Sequence, residues 1–152
     1  MKVVTYTHNH GDKVVPHDTQ RALLNAAASI KPPQRPDVKQ TREAISDVLR
    51  TLGWSSEIPV VQELKLTITA TLGKVGLCLQ TGNMARLYAD LLKLQVLYER
   101  RDIECAIFIL FTKHTAGEMG DNLANFERLA QELPLYQNCI AVPILVVGLE
   151  GG

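Results

Sequence analysis

Residues 103–111 read IECAIFILF, and no other stretch restricts the fold as tightly. Apart from Glu104 the run offers no polar side for water, so it predicts a strand inside a sheet, covered on both faces. The run IAVPILVVGL at 140–149 makes a similar demand, but Pro143 within it lacks a ladder N–H. That predicts an edge strand or a bulge there. Helical patterns lie between the apolar runs. An alanine-rich segment follows Asp18, its expected N-cap, and a second helix has Asp37 as N-cap and Gly53 as stop, with Val38, Ile45, Leu49 and Leu52 on one side. The three prolines of KPPQRPD, 31–37, join these two helices. A third helix, Met84 to Arg100, carries Leu87, Leu91, Leu94 and Tyr98 at helical spacing, and LANFERLAQEL, 123–133, is a fourth. KVVTYTH near the start reads as a strand or extended arm, and TKHTAGEMGDN, 112–122, as a polar loop whose glycines, Lys113 and His114 suit contact with a ligand. Strands interleaved with helices give an α/β fold: a mixed central β-sheet flanked by helices.

KLTITATLGKVGLCLQTGN, 65–83, has the pattern of a hairpin. Leu64, Leu66, Ile68, Ala70 and Leu72 alternate with Lys65, Thr67, Thr69 and Thr71; Gly73 turns the chain, and Val75, Leu77 and Leu79 then alternate with Gly76, Cys78 and Gln80. The alternation places Thr67, Thr69, Thr71, Cys78 and Gln80 toward one side, with strands expected over Leu64–Leu72 and Lys74–Leu79. A half-solvated sheet face with β-favouring threonines is the plain reading of that side.

With 152 residues, 46% of them hydrophobic, the chain is expected to form one domain over 1–152. Sixteen basic residues balance sixteen acidic ones, so bulk charge does not point to nucleic acid, although basic residues can still gather on one face. The absence of a signal pattern and of an apolar run of about 18 residues leads to the expectation of a cytoplasmic protein with no membrane partner. Cys78, Cys105 and Cys139 are odd in number and lie in apolar runs, which predicts reduced, buried thiols. His8, His10 and His17 have a metal-like spacing without further ligands at a convincing distance, and read better as part of a solvated arm. Cys78 with His114 would make a nucleophile and base, but no orienting acid accompanies them.

The segments GWSSEI, ITATLGKVGLCLQTGNMARLYADLLKLQVLYERRDIECAIFIL and VPILVVGLEG together resemble the BamHI/BglII-type restriction endonucleases of the PD-(D/E)XK superfamily. The resemblance extends over most of the chain and is densest from Gly53 to Leu110. It implies an aspartate on the first hairpin strand and, nine residues on, a glutamate opening a Glu-x-Gln motif followed by Gly-Asn. Gln80, Gly82, Asn83 and ADLLKLQ match; the two acid positions fall on Thr69 and Cys78. Thr69, Cys78 and Gln80 are therefore the motif positions, expected not to catalyse. A neutral hydroxyl and a soft thiol provide neither the charge nor the hardness that Mg²⁺ requires.

No cofactor is expected, with Mg²⁺ called for only if the chain cleaves. Asp90 or Glu43 could serve as a relocated acid, but Arg86 four residues before Asp90 and Lys93 three after also fit a charged helix surface. The leading expectation is an inactive endonuclease-like protein that binds double-stranded DNA as a homodimer, with Lys65, Lys74, Asn83 and Lys113 as DNA-contacting candidates. The alternatives are a small-molecule or protein-binding module on the same scaffold and an active metal-dependent endonuclease using a relocated acid. Clustering of Lys13, Arg21, Lys31, Arg35, Lys39, Arg42, Lys65 and Lys74 on one concave face would favour DNA; dispersal would favour the module.

Overall fold

A computed structural model describes residues 1–151. Strand β6, Cys105–Phe111, is buried at every position and lies in the middle of a five-stranded sheet. Parallel to it run β5, Val75–Leu79, on one side and β7, Ile144–Glu150, on the other. Two antiparallel strands complete the sheet: β1, Lys2–His8, along β7 and β4, Ala70–Leu72, along β5. The mixed α/β architecture expected from the apolar runs is thus observed.

Alternation along these strands feeds two apolar layers. Val75, Leu77, Leu79, Ile107 and Ile109 point to one face, with Leu23 of α2 (His17–Ser29) and Ile45 and Leu49 of α3 (Val38–Thr51). Cys78, Phe108 and Leu110 point to the other, with Leu87, Leu91 and Leu94 of α4 (Met84–Glu99) and Leu129 of α6 (Phe126–Glu132). Removing this much apolar surface from water is the main force holding sheet and helices together. The caps follow the sequence signals: Asp37 accepts the Gln40 N–H at 2.8 Å, and Gly53 takes φ +89° where α3 stops. Asn83 caps α4 by accepting from the Arg86 N–H.

Several expectations are corrected. The first hairpin strand is not continuous from Leu64 to Leu72. Residues 62–65 form a turn with Lys65 at φ 53°, and β3, Leu66–Ile68, pairs with β2, Ile58–Val61, in a separate two-stranded sheet. Ile68 and Ala70 would share a face in one strand, yet they enter opposite layers because the strand breaks at Thr69. The second strand is covered on both faces rather than half solvated. Strand β7 is interior, not an edge: it begins after Pro143, whose carbonyl accepts the Ala106 N–H at 2.9 Å, so the missing N–H never enters the ladder. The polar segment expected as a loop contains α5, Lys113–Met119, whose Thr115 and Ala116 are buried. Helix α2 starts one residue before Asp18, after Pro16, and Asp18 lies in its first turn without capping it. Cys139 is exposed, whereas Cys78 and Cys105 are buried. A short helix, α1, Gly11–Val14, had no sequence signal. Among the described residues no helix is long and apolar enough to cross a membrane.

Candidate functional site

The β4–β5 hairpin pairs Ala70 with Leu77, Thr71 with Gly76 and Leu72 with Val75, and Gly73 turns it at φ 57°. One residue beyond the ladder, the Thr69 hydroxyl accepts the Leu79 N–H at 2.9 Å, standing in for the carbonyl that a continuous strand would present. Thr69 lies across from Cys78, one position beyond the Ala70–Leu77 pair. Thr69, Cys78 and Gln80 therefore converge, as their alternation predicts, on a cleft of about 500 Å³. Arg42 of α3 and Arg86, Asp90 and Lys93 of α4 close its sides, and Glu57 and Thr67 form its rim. Thr71 stands apart, its backbone N–H donating to the Ser55 hydroxyl at 2.9 Å.

The inner carboxylate of the cleft and its neighbours are already partnered. Buried Gln80 donates from Nε2 to Asp90 Oδ2 at 2.5 Å and accepts the Gly82 N–H at 2.7 Å. Lys93 Nζ lies 3.0 Å from the other Asp90 oxygen, in an ion pair whose side chains are only 21% and 13% exposed. Arg42 donates from Nη1 to the Thr81 hydroxyl at 3.2 Å. Glu57 accepts a hydrogen bond from Thr67. Cys78 is 1% exposed, and burial pushes its thiol well above the ordinary cysteine range; Asp90 adds to the rise, while Lys93 and the Thr69 N–H oppose it. The thiol is thus neutral near pH 7 and poorly suited to act as a nucleophile or a metal ligand.

Hydrolysis through a divalent cation would need converging hard anionic oxygens. These residues do not fit that cation. Asp90 is a single carboxylate with both oxygens hydrogen-bonded, Thr69 offers only a neutral hydroxyl and Cys78 a buried thiol. No group of three or more His, Cys, Asp or Glu side chains that could hold a metal occurs among the described residues. Glu43 is not among the cleft residues and lies instead in a shallow depression along α3 with Lys39 and Arg50.

The other candidates are scattered. His8 is buried with Nε2 2.6 Å from the Ile140 carbonyl oxygen, while His10 and His17 are exposed. His114 lies 3.7 Å from Glu118 on α5, a helix that packs Ala116 into the layer opposite Cys78. Among the DNA-contacting candidates, Lys65 occupies the β2–β3 turn and Asn83 the cap of α4. Lys74 reaches the Arg101 carbonyl at 3.2 Å, beyond the opposite end of β5, and Lys113 opens α5, its backbone N–H bonded to Glu127. The cations that do line the cleft are Arg42, Arg86 and Lys93. A signal for two of them was present: Arg86, Asp90 and Lys93 repeat at i, i+4 and i+7 and so share one face of α4.

Comparison with known proteins supplies a family. A family model described as restriction endonuclease BglII/BglIII matches residues 3–149. Among solved structures, the crystal structure of restriction endonuclease BglII complexed with a DNA 16-mer is similar at 17% identity and a TM-score of 0.87, over 100% of this chain and 79% of that one. Free BglII is similar at 18% identity and a TM-score of 0.78, over 100% of this chain and 81% of that one. No curated protein matches. The sheet order, the hairpin with its converging side chains and a family match over nearly the whole length lead to one assignment: this chain belongs to the BglII/BglIII restriction endonuclease family.

Proposed function

We propose that this protein is a single-domain, non-cleaving member of its family that binds double-stranded DNA as a homodimer. The observation that carries the reading is the chemistry of the cleft: Thr69, Cys78 and Gln80, the positions that the resemblance assigns to the motif, converge there, and the one inner carboxylate, Asp90, is tied to Gln80 and Lys93. A phosphodiester would find cations there but no anionic cradle for Mg²⁺. DNA as the partner is supported by the similar BglII structure, which is complexed with a DNA 16-mer. The dimer is supported by the outer side of α4, where Leu92 is 59% and Val96 40% exposed, apolar surface of a kind that partner subunits cover.

Fluorescence anisotropy with labelled duplexes tests binding, and incubation with plasmid in Mg²⁺ or Mn²⁺ tests cleavage. Binding that weakens steeply with salt, without cleavage, is the expected result. Metal-dependent double-strand cuts abolished by Asp90→Ala would overturn the reading in favour of a relocated acid. Dispersal of some basic residues, with Lys74 beyond the far end of β5, favours the alternative of a small-molecule or partner-binding module. Flat salt dependence would select that alternative. Sedimentation of the wild type and Leu92→Glu tests the dimer, and a monomeric wild type at micromolar concentration would remove it.

A further inference from the structure

We propose that the cleft is a metal-independent phosphate site, in which Arg42 and Arg86 hold a phosphate group directly while Lys93 neutralises Asp90; applied to DNA, this rests on the binding function proposed above. Three cations line the cleft against two carboxylates, Glu57 and Asp90. Asp90 is committed to Gln80 and Lys93, and Glu57 to Thr67. The walls between them are neutral: the Thr69 hydroxyl carries no charge and accepts the Leu79 N–H, and the Cys78 thiol is buried. An anion entering the cleft therefore meets no unpaired inner carboxylate that a divalent ion would have to screen.

Arg42 spends Nη1 on Thr81 and keeps the rest of its fork. The Arg86 side chain lies along Gly82, with Nη1 3.8 Å and Cδ 3.4 Å from where a Cβ on that glycine would sit. Arg42 comes from α3 and Arg86 from α4, so two planar guanidinium groups approach the cleft from different elements. That arrangement suits the tetrahedral oxygens of a phosphate, which arginine binds in bidentate fashion. A volume of about 500 Å³ leaves room beside the phosphate for an attached sugar.

Two probes separate this site from the wider DNA-binding reading: a labelled duplex in EDTA or in Ca²⁺, and inorganic phosphate followed by calorimetry. Duplex affinity in EDTA should match that in Ca²⁺ within about twofold, since the cations act without a bridging metal. Arg42→Gln and Arg86→Gln should each weaken binding by about tenfold and lower the salt slope by about one, while Arg86→Lys retains most of that slope. Asp90→Asn and the rim change Glu57→Gln should tighten binding in EDTA, the reverse of what a metal-bridged complex gives. Inorganic phosphate should bind the wild type and fail to bind Arg86→Gln, with unchanged thermal midpoints excluding misfolding. Duplex binding that requires Ca²⁺ and disappears in Asp90→Asn would overturn the phosphate site and leave DNA binding standing. Phosphate binding lost in Arg86→Gln, in a protein with no duplex affinity, would keep the site and overturn the DNA reading. Phosphate bound equally by wild type and both arginine variants would overturn the site.

Discussion

Thr69→Asp combined with Cys78→Glu places two carboxylates on the cleft wall beside Asp90, and the structure allows the outcome to be worked through. The two positions are adjacent, because Thr69 follows on from the Ala70–Leu77 pair opposite Cys78 and its hydroxyl accepts the Leu79 N–H at 2.9 Å. An aspartate at 69 can still accept that N–H, so the hairpin end stays tied. A glutamate at 78 is costlier. It forces a longer, ionisable chain into a site where the thiol is 1% exposed, and overpacking alone costs about 1–3 kcal/mol, before desolvation is counted. Without metal the double variant should melt below the wild type. With Ca²⁺ the balance reverses, since hard-cation affinity grows with the number of converging carboxylates. Taking a Kd of about 10⁻⁴ M and about 10 mM Ca²⁺, mass action stabilises the folded state by about 2.7 kcal/mol. For a chain of this length that corresponds to a rise of about 5–10 °C in midpoint.

Thermal melts with and without Ca²⁺, supported by calorimetric titration, measure this directly. The single variants should respond by less than about 2 °C, and Thr69→Asn with Cys78→Gln, alike in shape and uncharged, should not respond at all. A folded double variant that shows no Ca²⁺-dependent shift would refute the placement of the metal-holding positions at 69 and 78.

Four further outcomes concern the scaffold. Phe108→Ala, at the fully buried centre of β6, should cost about 3–5 kcal/mol by urea denaturation, while Leu92→Ala on the exposed side of α4 should stay within about 0.5 kcal/mol in dilute protein. Gly11→Ala should destabilise by about 3 kcal/mol or more in the same assay, because the added Cβ would lie 2.2 Å from the Ile144 backbone, which belongs to an interior strand and cannot step aside. Burial, with a smaller push from Glu104, raises the Cys105 thiol from 9.0 to about 11, so its contribution is whole below pH 9 and is lost as pH rises through 11; Cys105→Ala should lose less stability over that range in pH-dependent melts. A thiol reagent at neutral pH should label Cys139 alone in the native protein.

Much of the fold is legible where composition and periodicity agree. IECAIFILF has only one polar position, and a sheet covered on both faces is the arrangement that hides such a strand. The helix containing Leu87, Leu91 and Leu94 is equally plain, since its apolar spacing and its Asn83 cap coincide. Where a tertiary contact decides, the sequence is silent. Alternation from Leu64 to Leu72 is the same whether Ile68 and Ala70 face one layer or two, and the break between them coincides with a hydrogen bond across the hairpin from the Leu79 N–H to the Thr69 hydroxyl. Helix α5 was hidden because its composition is polar and only Thr115 and Ala116 are buried, too few to set up a helical period. Pro143 misled by its position, since a proline one residue before a strand removes nothing from the ladder.

The site divides along the same line. Convergence of Thr69, Cys78 and Gln80 can be read from a period of two and one turn, because a hairpin fixes which side chains share an end. The charge surrounding them cannot, because Arg42 arrives from a helix far away in sequence. This difference bears on what the neutral wall does for the protein. Cys78 shares its apolar layer with Leu87, Leu91 and Phe108, and a carboxylate at 78 would have to be desolvated against that layer and would lie close to Asp90. A neutral thiol removes both costs and lets β5 be buried on both faces like any interior strand. Sites built for catalysis commonly give up stability to hold like charges together, and relaxing that demand returns stability to the scaffold. With that neutral wall, Arg42, Arg86 and Lys93 line a cleft whose inner acid, Asp90, is paired. On the function proposed above, loss of metal chemistry and retention of phosphate affinity would be compatible consequences of the same two side chains.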